Sequence, residues 1–184
     1  MTTPQITIAR KSGAAALAKR LAGITKLAAY VGVPASSVRD RSTQLLAMAG
    51  KVGKKKHAKL QRASLSDVTN AELLFVFSKG SPLHHQPPRP VVEPAIKAKG
   101  NAEPIAKELA EMAKAEMAGD HPAAVKHVKR AALYGQNVSR AWFTDARNNW
   151  APNAPSTIKR KGSDRPGIDT GAMRAAIIGV VREE

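Results

Sequence analysis

Cysteine is absent from the 184 residues. That excludes a disulfide framework, a thiol nucleophile and a cysteine-based zinc site, and it fits a reducing compartment. Aromatic residues are scarce, at three Phe, two Trp and two Tyr. Much of the apolar share is instead alanine, which favours helices and packs thinly. No apolar run approaches the roughly 18 residues of a membrane-spanning helix. The opening MTTPQITIARK has no signal-peptide core, and Lys19, Arg20 and Lys26 interrupt the apolar stretch after it. The expectation is a soluble chain that works where it is made and has no membrane partner. Acidic residues are also in short supply, 14 against 30 Lys and Arg, for a net charge of +16. The imbalance is local. Residues 1–66 hold 13 basic residues against Asp40 alone, whereas residues 67–184 hold 17 against 13. A positive field of this kind attracts polyanions, nucleic acid foremost.

The length suits one domain over 1–184 with a core of its own. In residues 13–29, Leu17, Leu21, Ile24 and Ala28 share a face at helical spacing, which predicts an amphipathic helix packed on a sheet. Tyr30, Val31 and Val33 before Pro34 read as a short strand. Residues 36–66 are basic and poorly patterned, with Lys51, Lys54, Lys55, Lys56, Lys59 and Arg62 crowded together. They read as an extended arm or loop. Thr69 or Asn70 caps a helix through the apolar run 73–77, ended by Gly80 and Pro82. Five prolines in 82–95 predict an extended segment. Residues 102–149 read as helical with a break near 119–122, where Asp120 caps the second helix and Pro122 sits in its first turn. Val128, Ala131, Gly135, Val138 and Trp142 repeat at three and four, a packing seam in which Gly135 admits another backbone. A turn at 156–161 and a closing strand over 175–183 finish an α+β fold. Its small antiparallel sheet is packed by the N-terminal helix and the long helices.

Chemistry is harder to find. Asp169-Thr170-Gly171 after Ile168 reads like the catalytic loop of a retroviral-type aspartic protease, in which paired aspartates share a proton. That fold is β-rich and lies mostly after the loop, whereas 13 residues follow Gly171 and the preceding sequence is helical. The local reading is a turn or cap, with Asp169 or Thr170 accepting a backbone N–H and Gly171 allowing the tight bend. His84 and His85 are adjacent, and His121 and His127 are six apart; neither pair has metal-ligand spacing. Glu103, Glu108, Glu111 and Glu116 scatter around a helix rather than pairing. GKVGKKKH lacks the Ser or Thr of a phosphate loop. Its lysines carry no interleaved aromatics for base stacking, and they read equally as phosphate neutralisers or as a solvated arm. No catalytic residue, metal or cofactor is implied, and the chain is not read as an enzyme.

Three segments in order, TNAELLFVFSKGSP (69–82), PPRPVVEPAI (87–96) and STIKRKGSDRPGIDTGAMRAAI (156–177), resemble the virion-morphogenesis proteins of tailed bacteriophages. These are neck, head–tail joining and tail-completion proteins. The matching positions are Asn70, Gly80, Arg89, Pro90, Pro94, Asp169, Thr170 and Gly171. The chain departs from the family pattern at Phe77-Ser78-Lys79, at Val91 and at Gly167. The resemblance implies a structural subunit of the virion neck, assembled in the bacterial host cytoplasm. It implies a homo-oligomeric ring of six, or of twelve, between portal or adaptor proteins and tail proteins, with genomic DNA passing through the lumen. In such a ring the 51–62 arm is expected to face DNA or grip a neighbouring ring. Arg89 is expected to be paired with an acid as its segment docks on a neighbouring subunit or its own sheet. The competing reading is a basic nucleic-acid-binding or capsid-associated structural protein.

Overall fold

Two long helical stretches joined by only Gly119 and Asp120 form the centre of the molecule. The computed structural model describes residues 11–34, 43, 45–47 and 68–183. Helices α1 (Lys11–Lys26), α2 (Asn70–Lys79), α3 (Val92–Lys97), α4 (Ala102–Ala118), α5 (His121–Ala141), α6 (Pro155–Lys161) and α7 (Ala172–Ala175) accompany strands β1 (Leu27–Gly32) and β2 (Ile178–Glu183). The strands form one two-stranded antiparallel sheet, with Leu27 opposite Glu183 and Gly32 opposite Ile178. The fold is α+β, as expected. Among the described residues no helix is long and apolar enough to cross a membrane.

The α4–α5 hairpin is closed at its turn from both sides. Gly119 takes the left-handed conformation at φ 86°, and the Asp120 N–H reaches back to the Ala115 carbonyl at 2.9 Å, satisfying carbonyls the helix end leaves open. The Asp120 carboxylate then accepts from the Ala123 N–H at 3.0 Å and caps α5. His121 lies against Glu116 at 3.0 Å and near Glu183 at 3.6 Å, so the turn also holds the end of β2. Farther along the hairpin, His127 meets Glu108 at 2.7 Å.

Helix α5 is the scaffold for the sheet because one of its faces is nearly bare. Ala131, Ala132, Gly135 and Ser139 are buried there. A side chain on Gly179 of β2 would collide with the Ala132 carbonyl oxygen, and one on Gly135 would lie 2.7 Å from Val31 Cγ2. Strand backbone thus rests directly on helix backbone at Gly179. At Gly135 the intruder is the Val31 side chain rather than the backbone expected from the sequence. One core cluster, including Leu27, Met112, Ala124 and Val128, fills the hairpin side. A second, including Leu74, Phe77, Val91, Ala95, Trp142 and Ile177, fills the other end. Each large side chain buried in these clusters contributes about 1.5–3 kcal/mol.

Several sequence expectations need correction. The first helix stops at Lys26, and Ala28 belongs to β1. Helix α1 does not cover the sheet. It lies on α4, where Gly23 leaves room for the buried Glu116 side chain and Arg20 donates to the Met117 carbonyl at 2.9 Å. Leu17 and Leu21 are 46% and 51% exposed. The proline-rich 82–95 segment is not extended throughout. A 3-10 turn occupies Pro82–His84, and α3 begins at Val92. Pro94 is tolerated because it sits in the first turn, whose N–H groups have no helical acceptor. Helix α5 ends at Ala141 rather than near Asn149. Asp145 captures the Arg147 N–H at 2.9 Å and starts a separate 3-10 turn. Within 36–66, residues 43 and 45–47 are helical and Leu45 is buried, so that stretch is not wholly extended.

Two outcomes follow from this packing. Gly179→Ala places a methyl against backbone that cannot rotate away, and denaturant unfolding should show a loss of at least about 1–3 kcal/mol. Glu116, first by hydrogen bond, holds the His121 pKa above its ordinary 6.5. Protonation is therefore favoured by folding, and the contribution is complete below the ordinary value and lost as pH rises through the raised one. Thermal melts should fall across that window, and His121→Gln should flatten the slope; an unchanged slope would remove His121 as its source.

Candidate binding cleft around Arg89

Helix α2 begins with a reciprocal cap. The Glu72 N–H donates to Thr69 Oγ1 at 3.1 Å, and the Thr69 N–H donates to Glu72 Oε2 at 2.7 Å. The Thr69 N–H bond, joined by the Thr69 hydroxyl donating to the same oxygen at 2.8 Å, holds the Glu72 carboxyl below its usual range. The helix ends at Gly80, φ 77°, where a Cβ would meet the Gln86 carbonyl at 2.7 Å and Pro88 N at 2.8 Å. Glycine is required on both counts. The chain turns back through a Ser81–Gln86 bridge, and the Arg89 N–H donates to the Phe77 carbonyl at 3.0 Å. That bond lays the 87–91 segment along α2.

Arg89 is buried, at 6% exposure. Its Nε and Nη2 donate to the Ala151 carbonyl at 3.0 and 2.8 Å, and Nη2 also donates to Pro152 at 3.0 Å. Its guanidinium lies 5.7 Å from the centre of the Phe77 ring. The expected acidic partner is therefore replaced by two loop carbonyls and a π face. The loop offers bare carbonyls because Pro152 has no N–H and Trp150 is held elsewhere, its Nε1 donating to the Pro90 carbonyl at 3.1 Å. Burial pushes the Arg89 pKa down, because lost hydration disfavours the charged guanidinium.

Around this residue the three sequence blocks meet. Phe77 stacks with Phe143 at 6.0 Å and meets the edge of Trp150 at 5.2 Å. Gly167, φ 69°, packs so closely that a Cβ would lie 2.7 Å from Phe77 and 2.8 Å from Phe143. A cleft of about 1090 Å³ opens between α2, the 84–89 segment, α6 and the 167–173 loop. Asn70, Arg89, Asp169, Thr170 and Gly171 all line it. Asn70 is buried in the first turn of α2. Gly80 ends α2, the Pro90 carbonyl accepts from Trp150, and Pro94 lies in α3. Arg160 and Lys161, from the last turn of α6, add positive charge to the wall.

The Asp-Thr-Gly loop divides its labour unevenly. Thr170 Oγ1 accepts from the Ala172 N–H at 3.2 Å, and Gly171 bends at φ 84° into α7. Asp169 is exposed on the cleft wall, and the turn bond belongs to Thr170. Lys51, Lys54, Lys55, Lys56, Lys59 and Arg62 lie outside the described residues. Among the described residues, no group of three His, Asp or Glu is arranged to hold a metal ion. Sequence reading missed Phe77, Phe143 and Trp150 as site-builders. The available signal was their scarcity: four of seven aromatics fall at 77, 142, 143 and 150.

The chain matches no protein-family model, no curated protein and no solved structure.

Thr170→Val removes the turn acceptor while keeping the side-chain volume. It should cost about 0.5–2 kcal/mol, read by thermal or denaturant unfolding, and a neutral result would show that Gly171 alone sets the bend.

Proposed function

We propose that the chain is a structural subunit of a bacteriophage virion neck, a ring-forming connector or tail-completion protein joining the DNA-filled head to the tail. One observation carries the reading. The three segments that resemble phage virion-morphogenesis proteins, up to about 90 residues apart in sequence, pack as one unit on Phe77, Arg89 and Gly167. A chance scatter of short motifs has no reason to converge in space. The strongly basic residues 1–66 fit a ring whose lumen passes DNA, and the reading assigns no catalytic step. The same charge supports the second reading, a basic nucleic-acid-binding or capsid-associated protein.

Mass measurement and negative-stain imaging of the purified chain separate the two. The neck reading expects discrete rings at a multiple of the 19.5 kDa subunit. Salt-sensitive DNA binding without self-assembly at any concentration supports the second reading and sinks the first. Replacing Lys54, Lys55, Lys56 and Lys59 by Glu should reduce particle yield or DNA retention, and normal values for both would leave the arm without that role.

A further inference from the structure

The most exposed problem in the structure is an uncompensated buried cation. Arg89 is more than nine-tenths buried, yet no carboxylate among the described residues pairs with it. Its Nε and Nη2 are spent on the Ala151 and Pro152 carbonyls, and its Nη1 has no acceptor among the described residues. Two carbonyl dipoles supply hydrogen bonds but no counter-charge. A buried charge left in this state is expensive unless an anion completes it.

Arg89 lines the large cleft, and the cleft has the character of a binding site. Leu73, Val76, Phe77 and Met173 give it an apolar lining. Among the described residues its charged walls hold Arg89, Arg160 and Lys161 against one acid, Asp169, with His84 and His85 at one end. At about 1090 Å³ it is at the upper end of small-molecule sites, far larger than a lone anion needs.

We infer that this cleft binds an extended acidic segment of another protein, with one side-chain carboxylate meeting Arg89 and flanking apolar side chains on Leu73, Val76 and Met173. Charge selects the occupant. A second copy of a chain carrying +16 is repelled by a wall that is itself cationic. Nucleic acid supplies anions but has little use for an aliphatic lining. Among the described lining residues Phe77 already faces the Arg89 guanidinium, and the other rings are the imidazoles of His84 and His85 at one end, too few to stack a run of bases. An acidic peptide satisfies both the cation and the lining. Because Nε and Nη2 are occupied, the carboxylate approaches through Nη1, a single charge-assisted hydrogen bond rather than a bidentate fork. The inference stands on the cleft alone and does not depend on the neck reading.

The test is an amide-shift titration of the full chain with a short synthetic peptide carrying one aspartate between leucines. Its asparagine counterpart, inorganic phosphate and a single-stranded oligothymidine are the comparisons. The aspartate peptide should move resonances of Leu73–Phe77, Arg89 and Thr170–Met173, and should bind at least about tenfold more tightly than the asparagine peptide. Arg89→Lys should erase most of that difference. Because that variant can fail to fold, Thr157→Trp, which fills the cleft from α6 without touching the Arg89 bonds, should weaken the aspartate peptide about tenfold at an unchanged melting temperature. Equal binding of the two peptides, shifts that map elsewhere, or no shift at millimolar peptide overturns the inference. Tighter binding of phosphate or oligothymidine at the same residues also overturns it, in favour of a phosphate-backbone ligand.

Discussion

The architecture depends on how closely a strand can approach a helix. On α5 the positions facing the sheet are alanine, glycine and serine, and on β2 the residue that meets them is Gly179. Neither side interposes a long side chain at that point, so strand backbone lies directly against helix backbone. A two-stranded sheet is marginal in water. This one persists because α5 supplies a second layer beneath both strands and because Leu27 and Val181 share a core with α4 and α5. The rest of the molecule is arranged around the two ends of that helix. At one end are the Gly-Asp turn and its histidine–glutamate contacts, and at the other the aromatic cluster that builds the cleft.

Arg140 makes the connection between scaffold and cleft explicit. From the last turn of α5 it donates to the Ile177 and Ala175 carbonyls, both at 2.8 Å. The short helix that follows the Asp-Thr-Gly loop is thereby tied to the helix that carries the sheet. Arg89 does the equivalent for the opposite wall, tying the proline-rich segment to the loop after Trp150. Two arginines thus serve as tethers between irregular segments whose carbonyls have no ladder to join. The guanidinium, with several donors in a fixed plane, is well suited to bridging two or three such acceptors at once.

How much of this was legible in the sequence follows the range of the forces involved. The helix start at Thr69 or Asn70, the bounds of α4 and the cap at Asp120 were readable because their partners lie within three or four residues. Closing strand β2 was readable from its β-branched run. The end of α1 was not, because Leu27–Ala29 leave the helix only to pair with residues 181–183. Helix α3 was hidden by its own prolines, whose effect depends on position in the turn. For the cleft, the sequence marked Arg89 and the Asp-Thr-Gly loop but gave the wrong partner for the first and an undecided one for the second. The Ala151 and Pro152 carbonyls have no side-chain signature, so no pattern could have named them.

The sheet also constrains the order of events in time. Residues 27–32 are made well before residues 178–183, their only described strand partner. At a synthesis rate of about 5–20 residues per second, β1 waits many seconds for β2 to leave the ribosome. During that interval the uncharged LAAYVG segment is an open strand edge. The α4–α5 hairpin, built from near-neighbour contacts, can form first and offer its bare face as a template. Pairing then depends on β2 docking onto a surface prepared well before it is made.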